Sequence, residues 1–139
     1  MDFFLGGKAI FTVQNTQSGE HRTYKIRKSR PNPAYPNPAW FISQMTGTDN
    51  ESHYSNVGKI NTTTGAITLT RISQFAEGSS QLTVARWICR KIFLNKTIGD
   101  NTEVRHAGKC GRCGRTLTTP ESLDRGIGPE CWHIMGHAR

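Results

Sequence analysis

Near the C-terminal end, the run KCGRCGRTLTTPESLDRGIGPECWH spaces three cysteines as C-x2-C-x17-C, at Cys110, Cys113 and Cys131. From about His106 to Arg139 the chain has few large apolar residues, so a segment this small needs a staple to be ordered. Glycines flank the first pair. They let the backbone wrap tightly and turn its N–H groups toward sulfur, as in a zinc knuckle. Pro129 suits a first helical position, which places Cys131 near the start of a terminal helix, where a thiolate is favoured over a thiol. Structural zinc takes four nitrogen or sulfur ligands in a closed tetrahedron. Three are present, and the expected metal is Zn2+.

The fourth ligand is sought among His106, His133, His137 and Cys89. His133, two residues after Cys131, points to another face of a helix, and His137 is also poorly placed. Cys89 sits within an apolar helical pattern, where a buried free thiol is the ordinary role. His106 lies four residues before Cys110, just ahead of Gly108, and can fold back toward the knuckle. The expected set is therefore His106, Cys110, Cys113 and Cys131. A redox pair is the competing reading, but a thioredoxin-like C-x-x-C opens a helix after a strand, and glycine on both sides does not resemble that.

The segment CGRCGRTLTTPESLDRGIGPECW resembles an uncharacterised zinc-knuckle family of phage and plasmid proteins, domain-of-unknown-function family 6011, also seen at the ends of helicase-like proteins. The shared pattern, CxxCGRxL then PxS then GxGPxC, is met at Cys110, Cys113, Gly114, Arg115, Leu117, Pro120, Ser122, Gly126, Gly128, Pro129 and Cys131. The preceding HAG also resembles the family's lead-in, which supports His106. The resemblance implies a zinc-dependent module of mobile-element origin and no particular activity.

The 139 residues favour one domain or one with an appendage. The β-branched alternation of KAIFTVQN (8–15) and HRTYKIRKS (21–29) around TQSGE predicts a hairpin. The four prolines of RPNPAYPNPAW predict a loop. WFISQMTG (40–47) reads as a third strand, and VGKIN and AITLTRI around TTTG as a second hairpin. SSQLTVARWICRKIFLN (79–95) reads as a helix capped by Ser79 or Ser80, with Leu82, Ala85, Cys89 and Ile92 on one face and Trp87, Ile88 and Phe93 widening it. Residues 96–105 read as a linker or short strand. Thr119 and Pro120 start a short helical turn that Gly126 ends, and Leu117, Leu123, Ile127 and Trp132 supply a small core beside the metal. The expected fold class is α+β: a small antiparallel sheet packed by one helix over residues 1–98, then a treble-clef-like zinc module over 99–139.

Net charge is +8 and the pI about 9.7, which points to polyanionic partners. The charge is uneven. Residues 1–95 hold eleven Lys/Arg against five Asp/Glu, and residues 96–139 hold seven against five. The densest basic run has five cations within nine residues, Arg22, Lys25, Arg27, Lys28 and Arg30. On a strand near Tyr35 and Trp40 these could hold phosphates while the rings stack on bases. A lysine-rich edge strand that blocks aggregation has the same composition. Arg112 and Arg115 add charge to the knuckle, although both could equally bind loop carbonyls. No transmembrane run or secretory signal is evident. The expectation is a cytoplasmic, reducing setting, and the sequons at Asn50, Asn61 and Asn95 read as chance. No catalytic motif stands out, so no enzyme is expected. Two partner classes remain: nucleic acid bound without sequence preference, or a host nucleic-acid-processing complex inhibited by a phage-encoded module, such as an anti-CRISPR or anti-restriction protein.

Overall fold

The computed structural model describes residues 2–30, 33–34, 36–46, 53–94, 96 and 101–136. Tyr35, Asn50, Asn95 and His137 lie outside them. The fold is α+β. Strands β1 (Lys8–Asn15), β2 (His21–Lys28), β3 (Trp40–Met45), β4 (Tyr54–Ile60) and the two-residue β5 (Ile67–Thr68) form a meander, and β6 (Thr102–His106) adds to the free side of β1. All five pairings are antiparallel. The sheet thus draws its sixth strand from beyond residue 98. Helices are α1 (Asp2–Leu5), α2 (Ser80–Phe93), α3 (Pro120–Arg125) and α4 (Pro129–Ile134). Among the described residues no helix is long and apolar enough to cross a membrane.

Two hairpins close on the same five-residue turn, N-T-x-x-G, at residues 15–19 and 61–65. In each, the asparagine Oδ1 accepts from the N–H groups two and three residues on, at 2.9 and 3.1 Å for Asn15 and 2.9 and 3.2 Å for Asn61. A left-handed glycine follows, Gly19 at φ 78° and Gly65 at φ 77°. Asparagine satisfies the turn's donors, and glycine supplies the positive φ. The two differ in surroundings. A Cβ on Gly19 would meet nothing, whereas one on Gly65 would sit 2.4 Å from the Cys89 carbonyl oxygen on α2. Gly19→Ala should therefore cost only the left-handed strain, about 1–2 kcal/mol. Gly65→Ala should cost clearly more, because backbone must move. Thermal melts of the two variants make the comparison, and equal losses would contradict it.

The register sorts the sheet's side chains into two sets. One set (Ala9, Phe11, Val13, Tyr24, Ile26, Ile42 and Ile60) is buried in a single apolar cluster with Leu82, Ala85, Ile88, Cys89, Ile92 and Phe93 of α2. A bulge at Val57, between the Ile42–Gly58 and Ser43–Asn56 pairs, keeps the alternation in phase. Ser79 caps α2 as its sequence suggests, with Oγ accepting from Leu82 N–H at 3.3 Å. Trp87 departs from expectation. It is 39% exposed, since it lies on the helix flank while Ile88 beside it takes the core position. Leu82→Ala should cost about 2–5 kcal/mol and Trp87→Ala much less, as read by urea denaturation.

Helix α1 was not legible in the sequence. Phe4 meets Phe11 edge-to-face at 5.2 Å, and the Leu5 carbonyl accepts from Trp40 Nε1 at 3.2 Å. Phe3 reaches the C-terminal segment. Gly111 lies so close to Phe3 that a Cβ there would be 2.6 Å from the Phe3 carbonyl oxygen.

Candidate metal centre and basic sheet face

The cysteine segment is held by its own backbone. Lys109 and Thr116 form an isolated antiparallel bridge. Cys110 N–H donates to Arg115 O at 2.8 Å, and Gly114 N–H returns to Cys110 O at 2.9 Å. Thr119 Oγ1 accepts from Ser122 N–H, Pro120 opens α3, and Gly126 at φ 74° ends it, as the residue types dictate. Pro129 opens α4, so Cys131 sits in its first turn. Two further bonds fix the knuckle in place: Gly111 N–H to Gly126 O at 2.8 Å and Lys8 N–H to Gly111 O at 2.6 Å. The second ties the knuckle directly to the start of β1.

This scaffold brings the sulfurs of Cys110, Cys113 and Cys131 within 4.8 Å of one another. Zinc–sulfur bonds of about 2.3 Å in a tetrahedron place sulfurs just under 4 Å apart, and the three thiols stand close enough together that they could hold a metal ion. The surroundings favour the anion at Cys110 but not at Cys131. Burial alone would raise the Cys110 thiol, but N–H donors from Gly128, Cys113 and Arg112 bring it down to about 7. Burial raises Cys131, against a lowering contact from Arg112, whose Nη1 donates to its Sγ at 3.5 Å. The sulfurs open on a cavity of about 390 Å³ whose lining includes Arg112, Arg115 and Leu117. Leu117 and Ile127 are buried in the same cluster as Cys110 and Cys131, which is continuous with the main core, while Leu123 is exposed.

The structure does not bring His106 to the three sulfurs. His106 ends strand β6 opposite Phe11, and its ring nitrogens are engaged elsewhere. Nδ1 accepts from Gly108 N–H at 2.9 Å, and Nε2 bonds the Leu123 carbonyl. The ring lies against Phe3, 5.6 Å between centroids. The Gly108 turn carries the chain onward to the knuckle instead of folding the imidazole back. His133 is exposed on α4, and Cys89 is fully buried in the α2 face. Among the described residues no histidine or carboxylate joins the cysteine group. Burial pushes the Cys89 thiol up to about 12, so almost no thiolate exists at pH 8. Iodoacetamide should leave Cys89 unmodified in the native protein and label it only on unfolding, as peptide mass mapping would report. Labelling at the rate of a free thiol would contradict its burial.

The seven basic residues picked from sequence divide. Lys25 and Arg27 project on the polar face of the sheet. Arg22 and Lys28 belong to the opposite set, with Val13 and Trp40 as cross-strand partners, and Lys28 Nζ lies 5.3 Å from the Trp40 ring centroid. Arg30 lies beyond the strand. Arg112 turns to Cys131, and Arg115 reaches Glu130 at 3.8 Å, both ends exposed, an arrangement worth little. Strand order adds three cations that sequence order separates. The register aligns Lys8 with Arg27, Lys59 with Phe41 (itself opposite Arg27), and Arg105 with Thr12. The polar face therefore gathers Lys8, Lys25, Arg27, Lys59 and Arg105. Glu103, paired with Arg105 at 2.8 Å, is its one carboxylate among the described residues. Aromatic rings interleave: Lys25 Nζ is 5.1 Å from the Tyr54 centroid and the Arg27 guanidinium 4.8 Å from that of Phe41.

Residues 100–136 match the model of a family described as a family of unknown function (DUF6011). No curated protein and no solved structure matches the chain. The matched segment covers β6, the knuckle, α3 and α4, and so includes all three clustered cysteines.

Proposed function

We propose that this protein is a small zinc-stapled accessory factor, not an enzyme, that binds nucleic acid without sequence preference through the polar face of its sheet. Helix α2 covers the other face. The knuckle and the start of α4 form a treble-clef-like zinc module of mobile-element type. When bound, zinc supplies structural cross-linking through Cys110, Cys113 and Cys131. The observation that carries the reading is the clustering on one sheet face, among the described residues, of five cations, two aromatic rings and a single carboxylate. Phosphates attract the cations, and rings beside them suit bases. Neither Arg112 nor Arg115 is needed in this reading, because one serves a sulfur and the other meets a glutamate.

A pulldown from bacterial lysate, with and without nuclease, tests it. Nucleic acid should co-purify with the protein and disappear on nuclease treatment or in high salt. A nuclease-resistant protein partner with no retained nucleic acid would favour the inhibitor reading instead, in which the same basic face docks on an acidic surface of a host complex.

A further inference from the structure

At one end of the sheet, a groove of about 510 Å³ opens where the segments after β2 and β5 approach β3 and β4. Its walls include Arg30, Lys59 and Arg71, together with Phe41, Thr70 and Ile72. No carboxylate lines it, and no ion pair engages the three cations among the described residues. Ile72 stands 52% exposed, a large apolar side chain left in water between charges. Phe41 forms another wall and carries the Arg27 guanidinium on its ring.

Phosphate alone explains three cations but not an aromatic wall and an exposed isoleucine. A duplex presents phosphates but keeps its bases stacked inside. A single strand offers both, an anion and an unstacked base in each unit. We propose that this groove holds one nucleotide unit of a single-stranded nucleic acid, the base against Phe41 and Ile72 and the phosphate among Arg30, Lys59 and Arg71. The strand then continues along the polar face past Arg27 to Lys25 and Tyr54. This inference rests on the sheet face being a nucleic-acid surface, and it specifies the form bound and where the base contacts fall.

The test is fluorescence anisotropy with the full chain, using labelled oligothymidylate and oligouridylate twelve-mers and a twelve-base-pair duplex. Both single strands should bind at least about tenfold more tightly than the duplex. Phe41→Leu should weaken single-strand binding about fivefold or more, the scale of one stacking contact, with an unchanged salt slope. Arg71→Ala should weaken it and flatten the slope by about 0.7, one phosphate contact on a single strand. Arg71 is exposed, so this variant decides the matter if Phe41→Leu melts early. Duplex binding equal to single-strand binding would overturn the proposal. So would wild-type affinity in Arg71→Ala and Ile72→Ser while Lys25 and Arg27 substitutions still weaken binding, an outcome that leaves the sheet face standing and removes only the groove. Binding to none of the three oligonucleotides would overturn both.

Discussion

Protein purified without chelator should carry one zinc ion per chain, and Cys113→Ser should carry none. Three sulfurs within 4.8 Å of one another form a cage that two cannot replace, and serine is a poor zinc ligand beside thiolate. Structural zinc contributes on the order of 10 kcal/mol to the folding of its module. The loss should not stop at the knuckle. Lys8 N–H bonds Gly111 O, and Phe3 packs against Gly111, so the knuckle, α1 and the start of β1 form one contact. Hydrogen exchange should show residues 106–136 deprotected in Cys113→Ser, with α1 loosened beside them and the centre of the sheet still protected. His106→Ala separates ligation from packing. With both ring nitrogens engaged by backbone, the variant should keep zinc and lose stability, because Gly108 N–H and Leu123 O lose their partner. Elemental analysis showing no zinc in the wild-type chain would end the metal reading, and zinc lost in His106→Ala would return that histidine to the ligand set.

The parts of the fold set by local chemistry were legible. Helix α2 follows from apolar spacing and a serine cap, α3 from threonine, proline and glycine at fixed offsets, and β1 and β2 from alternation around a turn. What failed depends on distant partners. Strand β6 was legible only as one of two alternatives, a linker or a short strand over residues 96–105, and the strand forms because β1 offers an unpaired edge. Helix α1 is four residues long and exists by resting Phe4 on Phe11 and the Leu5 carbonyl on Trp40. β4 begins at Tyr54, three residues before the apolar run that suggested it, because pairing with β3 extends it. The cysteine cluster was readable because its spacing is local, apart from Cys131. His106 stands apart from the three sulfurs because proximity in sequence says nothing about which way a strand end turns. The basic surface was half visible: a run of cations on one strand splits between two faces, and the cations that complete a face come from other strands.

That split gives the last expectation. If the polar face binds phosphate, Lys25→Ala/Arg27→Ala should weaken oligonucleotide binding and flatten its salt dependence, while Lys28→Ala should do neither. The three residues are near neighbours in sequence and equal in charge, so composition predicts the same effect for each. Geometry separates them. Lys25 and Arg27 stand over Tyr54 and Phe41 on the polar face, and Lys28 turns to Trp40 on the other. Each phosphate contact on a single strand releases about 0.7 of a condensed counterion, so removing two should reduce the slope of log affinity against log salt by about 1.4. Affinity at low salt should fall roughly tenfold or more with it, uniformly across sequences, since nothing on this face discriminates base edges. Anisotropy titrations at two or more salt concentrations measure both quantities. An equal loss from Lys28→Ala would mean that binding senses net charge alone, and the sheet face would have no special claim to it.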